Sequence, residues 1–198
     1  DGHLTGVTLS PSQLVWSQDR MARAGLSARA DLRLQDYRDV AGRFDRIVSI
    51  EMLEAVGESY WPTYFRTLRD RLAPGGVAVL QVITIADERY AAYRRGADFI
   101  QRHIFPGGML PTPRILRDLA ATSGLRIDHQ ETFGLSYART LADWHHRFLQ
   151  ALPEVARCGL DERFQRLWRY YLAYCEGGFR AGAIDVGFYR LRPAEVAA

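Results

Sequence analysis

One run of this chain constrains its fold more than any other: Phe44-Asp45-Arg46-Ile47-Val48-Ser49-Ile50-Glu51-Met52-Leu53-Glu54-Ala55-Val56-Gly57. Its apolar core, Ile47 to Ile50, reads as a buried strand of the parallel-sheet kind. That core runs directly into two carboxylates, Glu51 and Glu54, and then a glycine. In open α/β sheets, ligands sit outside the carboxyl ends of the strands. Acids at a strand exit are therefore candidates for a site. The bland alternative is a solvated turn, and spacing alone does not separate the two.

Strand and helix signals alternate along the rest of the chain. Thr5, Val7 and Leu9 alternate like the end of a strand. Ser10-Pro11-Ser12-Gln13 has the form of a capping box with proline at the first helical position. A helix is expected from Leu14 to Ala30, and a short strand from Leu32 to Leu34. Trp61, Tyr64, Phe65, Leu68 and Leu72 recur at helical spacing, with Pro74-Gly75-Gly76 as the stop. Val77 to Ile83 is a clear buried strand. Residues 86 to 111 start helical and become a loop around Phe105-Pro106-Gly107-Gly108. Thr112-Pro113 opens a helix to about Thr122, and Leu125 to Thr132 returns as a strand. A helix from Thr140 carries Leu141, Trp144, Phe148 and Leu152. A longer one holds Phe164, Leu167, Trp168, Tyr171, Leu172 and Cys175 on one face. Ile184, Val186 and Phe188 alternate as a last strand. The sum is a doubly wound α/β pattern with extra helices late in the chain.

Composition narrows the function classes. With 198 residues, 47% of them hydrophobic, the chain can bury one good core, so one domain is expected. No run is apolar enough to span a bilayer, and no signal-peptide pattern opens the chain. Cys158 and Cys175 do not make a disulfide framework, so a reducing cytoplasm is the default. The net charge of +3 comes without a single lysine; all 26 basic side chains are arginine. No basic block of the nucleic-acid-tracking kind occurs, so no nucleic-acid partner is expected. A weak attraction to anionic lipid surfaces fits the charge.

Particular words go further than pattern. Val7-Thr8-Leu9-Ser10, Gln35 to Asp39, Phe44 to Gly57, Tyr60-Trp61-Pro62, Leu72 to Gly76, Phe99-Ile100-Gln101, Ile104 to Gly108 and Tyr170 to Phe179 closely resemble the cyclopropane-fatty-acyl-phospholipid synthase and mycolic acid cyclopropane synthase family. The resemblance covers almost the whole chain. It implies an α/β, Rossmann-like class I methyltransferase sheet with extra helices over an acyl site. It also implies S-adenosylmethionine as methyl donor, bicarbonate as general base, and phospholipid acyl chains as substrate. The expected location is cytoplasmic and peripheral, at the inner membrane surface, and the resemblance leaves room for a homodimer. The chemistry it brings is attack of a cis double bond on the sulfonium methyl. The new methyl then loses a proton and the ring closes.

Carried over residue by residue, the resemblance makes Glu54 the bicarbonate-site glutamate and Tyr137 its tyrosine, with Ile83 contributing backbone. Gln81 stands where many members carry histidine; it can donate a hydrogen bond but cannot change charge near neutral pH. Cys175 matches a cysteine long regarded as catalytic, although a thiol on an apolar helix face is more often buried and inert. Thr8, Leu9 and Gln13 match positions lining the S-adenosylmethionine site, and Gln13 equally suits a capping partner of Ser10. Asp36 and Tyr37 match the segment flanking the adenine; a plain surface turn is the alternative. Trp61, Trp144 and Trp168 read as core. No metal ligands stand out.

The resemblance also registers absences. The chain opens at what resembles the second strand, without the family's first strand, its glycine-rich loop, its smaller N-terminal region and an upstream cysteine of the bicarbonate site. Residues 1–198 are thus expected to form a single, N-terminally truncated catalytic domain with exposed strand edges. Such a chain is expected to bind cofactor poorly.

Overall fold

The computed structural model describes residues 2–194. The chain divides into two compact units, one running to Phe44 and the other starting at Asp45.

The first unit is a βαβ element. Strand β1 (Leu4–Thr8) and strand β2 (Ala30–Leu34) pair in parallel, Leu4 opposite Ala30 and Thr8 opposite Leu34. Helix α1 (Pro11–Arg23) connects them. Ser10 caps it as expected, its Oγ accepting the Gln13 N–H at 3.3 Å. The second half of the expected capping box is missing, because the Gln13 side-chain carbonyl takes the Thr8 hydroxyl instead, at 2.8 Å. The helix also ends at Arg23, well short of Ala30. Gly25 enters the left-handed region at φ 68°, Ser27–Arg29 form a 3-10 turn, and Ala30 already belongs to β2.

The second unit is a mixed four-stranded sheet in the order β3-β4-β6-β5, with helices packed against it. Its strands are β3 (Phe44–Ile50), β4 (Leu72–Ile85), β5 (Leu125–Thr132) and β6 (Ile184–Pro193). Strand β6 runs antiparallel to both neighbours, β4 and β5. Helix α2 (Trp61–Arg71) stops before Leu72, which already starts β4. Pro74-Gly75-Gly76 therefore lies inside the extended run, with Gly75 at φ 75°. Two short helices, α3 (Asp87–Arg95) and α4 (Phe99–His103), fill the segment whose pattern was mixed. Helix α5 (Pro113–Thr122) begins as expected, the Thr112 hydroxyl accepting the Ile115 N–H at 3.2 Å.

Three expectations are corrected here. Ile47 to Ile50 is not buried on both faces: β3 is an edge strand, and Val48 and Ile50 are exposed. Helix α6 (Gly134–Gln150) starts one and a half turns before Thr140, while Leu152 belongs to the separate α7 (Leu152–Arg157). Gly134 at the first position and an exposed Leu135 give no amphipathic signal there, which hides the true start. Trp144 points outward from α6 and is exposed. Trp61 is buried, its indole N–H donating to the Leu53 carbonyl at 3.2 Å, and Trp168 is partly buried in the core beside Leu172.

The core lies on both sides of β4. Leu80, Val82 and Thr84 are buried, and α2 contributes Tyr64, Phe65 and Leu68. Side chains alternate along a strand, so Ile83 faces the other way. There it meets Val186 of β6, Ala138 and Leu141 of α6, and Leu172 and Phe179 of α8 (Glu162–Arg180). Burial of these side chains contributes about 1.5–3 kcal/mol each for the larger ones. Among the described residues no helix is long and apolar enough to cross a membrane.

Strand β6 fits between its neighbours because Gly187 has no side chain. A Cβ there would lie 2.6 Å from the Glu131 carbonyl oxygen and 3.0 Å from Thr132. The same stretch launches α6, since the Phe133 N–H donates to the Val186 carbonyl at 2.9 Å. Gly187→Ala is expected to lower stability by about 2 kcal/mol, read as a drop in the denaturation midpoint at unchanged m-value. An unchanged midpoint would mean that β5 yields easily and that the close approach does not set the start of α6.

Candidate active site

The exit from β3 turns sharply. Glu51 is the one non-glycine residue among those described with positive φ, at 50°. An L-residue pays roughly 1 kcal/mol or more in that region. The turn remains stitched to β4 through the Glu51 N–H, which donates to the Gln81 carbonyl at 2.9 Å. This bend sends the Glu51 carboxylate to the face of β4 that carries Gln81 and Ile83. Its Oε1 accepts two hydrogen bonds, from Gln81 Nε2 at 2.7 Å and from the Tyr137 hydroxyl at 2.6 Å. Three elements, the β3 exit, β4 and the first turns of α6, thus meet at one oxygen.

Glu54 follows in the 3-10 turn Leu53–Ala55, which the fully buried Leu53 pins to the core. Its Oε1 accepts the Ile83 N–H at 2.6 Å. Its Oε2 is buried and has no partner among the described residues. Burial pushes the Glu54 carboxyl up to about 7, and the nearby Glu51 charge pushes the same way. The backbone is held too: the Met109 N–H donates to the Glu54 carbonyl at 2.9 Å, and Gln101 Nε2 holds the Gly108 carbonyl at 2.9 Å. The loop from Phe105 to Met109 is in this way tied to the acidic turn.

Aromatic rings pack around Tyr137, whose hydroxyl reaches Glu51, and around Tyr171. Tyr137 lies against Phe179 with ring centres 5.0 Å apart, and Tyr171 lies 5.0 Å from Trp168. Phe105 meets Tyr171 edge-on at 6.4 Å. Burial, then hydrogen bonding to Glu51, pushes the Tyr137 hydroxyl up; burial pushes Tyr171 up to about 12. Both phenols stay protonated at neutral pH and act as donors. Burial also pushes the Cys175 thiol up to about 12, with Asp98 adding to it, so the thiolate is scarce. The chemistry on offer is proton transfer at carboxylates with the Tyr137 ring alongside.

The residues carried over for the cofactor lie in the first unit, at the carboxyl ends of its two parallel strands. The Gln35 N–H donates to the Thr8 carbonyl at 3.1 Å, which sets the segment after β2 beside the end of β1. Thr8 and Gln13 bond to each other there, and Leu9 is strongly exposed. Asp36 caps the turn Tyr37–Asp39 and binds the Arg38 side chain through both carboxylate oxygens, at 3.0 and 2.7 Å. That guanidinium holds the Asp36 carboxyl below the usual carboxylate range. Thr8, Leu9 and Gln13 form one short stretch, and Asp36 and Tyr37 stand next to it.

In the second unit the structure brings Glu54, Gln81, Ile83 and Tyr137 together. The grouping depends on a residue that the resemblance did not carry over. Gln81 and Tyr137 bind Glu51, not Glu54. The signal for Glu51 was its place immediately after the strand, which marked it as a candidate but gave it no role.

Burial of Glu54 has a consequence for stability. Its carboxyl holds a proton more tightly in the folded chain than in the unfolded one, so between about pH 4.5 and 7 the folded state binds more protons. Stability from this group is full below pH 4.5 and is lost as pH rises through 7, by roughly 3 kcal/mol in all. Thermal unfolding at pH 5 and pH 8 should show Glu54→Gln gaining on the parent chain at the higher pH and matching it more closely at the lower. A pH-independent difference would contradict the buried, proton-holding carboxyl.

Comparison with known proteins gives the family and the fold. The family model for mycolic acid cyclopropane synthetase matches residues 1–188. The chain is 44% identical over 185 residues to the tuberculostearic acid methyltransferase UfaA1 of Mycobacterium tuberculosis, covering 93% of this chain and 43% of that protein. It is 38% identical over 188 residues to the cyclopropane-fatty-acyl-phospholipid synthase of Escherichia coli, covering 94% and 46%. The chain therefore spans less than half the length of these relatives. Among solved structures, the mycolic acid cyclopropane synthase CmaA1 complexed with SAH and CTAB superposes with a TM-score of 0.86 at 27% identity, over 96% of this chain and 69% of that one. The fold is the class I methyltransferase α/β fold, and the chain belongs to the mycolic acid cyclopropane synthetase family.

Proposed function

We propose that this chain serves S-adenosylmethionine-dependent methyl transfer to the cis double bond of an unsaturated phospholipid acyl chain, with closure to a cyclopropane. The observation that carries the reading is the carboxylate pair at the β3 exit. One oxygen of Glu51 gathers two donors, and one oxygen of Glu54 is buried and unpartnered. Family membership supplies the reaction class.

S-adenosylmethionine, when bound, supplies an electrophilic methyl on a sulfonium. On the first unit, the partly buried Tyr37 ring offers a stacking face, and Asp36 Oδ2, engaged by Arg38 Nη2, keeps a lone pair for an amino group. On the second unit, Tyr137 and Tyr171 present π-faces that stabilise positive charge without forming a bond to it. Glu51 and Glu54 offer carboxylate oxygens for the proton that must leave before a ring can close. The substrate fits a cytoplasmic enzyme working peripherally at the inner membrane surface, where acyl chains are at hand.

Bicarbonate, which the resemblance brings with it as base, does not fit this donor set. The Ile83 N–H, Gln81 Nε2 and the Tyr137 hydroxyl each already donate to Glu54 or Glu51. A bound anion would also add negative charge beside Glu51 and the buried Glu54 carboxyl, which costs free energy in a desolvated place.

A second product is favoured by one comparison. The relative at 44% identity is named for methyl transfer, not for ring formation. A 1,2-hydride shift that moves the cation onto the methyl-bearing carbon, followed by loss of a methyl proton there, would give a methylene branch in place of the ring.

Incubation with vesicles rich in cis-unsaturated phospholipid and methyl-labelled S-adenosylmethionine tests the reading. A labelled one-carbon gain in the acyl chain, found by mass spectrometry, is the expected result. Label confined to a soluble acceptor would contradict it. Glu54→Gln is expected to slow turnover by about 100-fold while cofactor affinity changes little, since Glu54 is not among the residues carried over for the cofactor. Parallel loss of both would remove Glu54 from the chemistry. Cys175→Ser should keep most of the activity, because a thiol held near 12 is a poor nucleophile at neutral pH. Complete loss in a folded variant would contradict that.

A further inference from the structure

The poor fit of bicarbonate and the strained backbone at Glu51 are two separate observations about one residue. A residue at φ 50° is ordinarily glycine, because glycine alone meets no penalty there. Strain of this kind persists where the side chain is needed. The Glu51 side chain uses its position to accept hydrogen bonds from Gln81 Nε2 and the Tyr137 hydroxyl at one oxygen. A carboxylate has the planar, two-oxygen end of a bicarbonate ion and takes the same donors.

We infer that Glu51 is the general base of this site, a covalently built carboxylate standing where an external bicarbonate would otherwise be held, so that the chemistry of this chain does not require bicarbonate. The inference rests on the lipid methyl-transfer reading and deepens it. The step balances simply. The alkene π-pair forms the new carbon–carbon bond to the methyl, whose bond to sulfur breaks, leaving a carbocation. A Glu51 carboxylate oxygen then takes a proton from the new methyl, and the released C–H pair forms the third side of the ring. Glu51 becomes a carboxylic acid and returns its proton to water. Gln81 suits this arrangement better than histidine would, since it donates to Glu51 and cannot compete for the proton near neutral pH.

Two variants separate a base from a merely positioning residue. Glu51→Gln keeps an oxygen that accepts from Gln81 and Tyr137, so it preserves positions but removes the base. Glu51→Gly relieves the backbone and frees both donors. In carbon-dioxide-free buffer the parent chain is expected to transfer label at a rate unchanged by added bicarbonate. Glu51→Gln should be slower by about 100-fold or more, with or without bicarbonate. Glu51→Gly should be equally slow alone and recover at least tenfold with millimolar bicarbonate. A bicarbonate-stimulated parent chain, or an active Glu51→Gln, would overturn the inference.

A binding readout is independent of turnover. Isotope-labelled bicarbonate followed by NMR should show exchange broadening with Glu51→Gly and none with the parent chain. Binding by the parent chain overturns the inference even where lipid is methylated. Exclusion by the parent together with binding by Glu51→Gly upholds it even where no lipid is labelled, and in that case the substrate reading alone fails.

Discussion

The hydrogen bonds that meet at Glu51 Oε1 organise the second unit's site. They join the end of β3, the partly exposed face of β4 and the start of α6 through a single carboxylate oxygen. Without the left-handed bend at Glu51, the chain leaving β3 would carry that carboxylate elsewhere. Gln81 and Tyr137 would then each bury a donor without an acceptor, at about 1–3 kcal/mol apiece. The 2.9 Å bond from the Glu51 N–H to the Gln81 carbonyl fixes the bend, so backbone and side chain of one residue bind backbone and side chain of another.

Two carboxylates this close differentiate each other. Glu51 sits among donors; Glu54 has one donor, the Ile83 N–H, and one buried oxygen with none. Burial and the neighbouring charge let Glu54 hold a proton up to about pH 7. Neutralising one member relieves the repulsion that two buried anions would suffer. The partly buried rings of Tyr137 and Tyr171 and the buried Phe179 offer π-faces tolerant of transient positive charge. Cys175 lies in the same apolar cluster as a protonated thiol, a packing element more than a reagent.

Much of this was legible in the sequence, for identifiable reasons. The β4 strand, the Thr112 cap and the long apolar face of α8 are strong local signals, and each was found where expected. Glu54, Gln81, Ile83 and Tyr137 came from resemblance, and the structure groups them. What failed was set by tertiary context. Ile47 to Ile50 has the composition of a central strand but lies at a sheet edge, and composition does not encode neighbours. The start of α6 was hidden because Gly134 and the exposed Leu135 carry no period. The Thr8–Gln13 bond replaced half of a capping box, a choice between two donors for one Gln13 oxygen that sequence does not decide. Glu51 was visible as an acid at a strand exit, but its partners lie 30 and 86 residues away.

The central claim is that a carboxylate at the β3 exit removes a proton from the methyl group delivered to the acyl chain. Mass spectrometry of the product formed from trideuteromethyl S-adenosylmethionine, in bicarbonate-free medium, tests it most directly. Two deuterons kept out of three are predicted, because the base takes the third. Retention of all three would mean that no base acts on the new methyl, and would contradict the account.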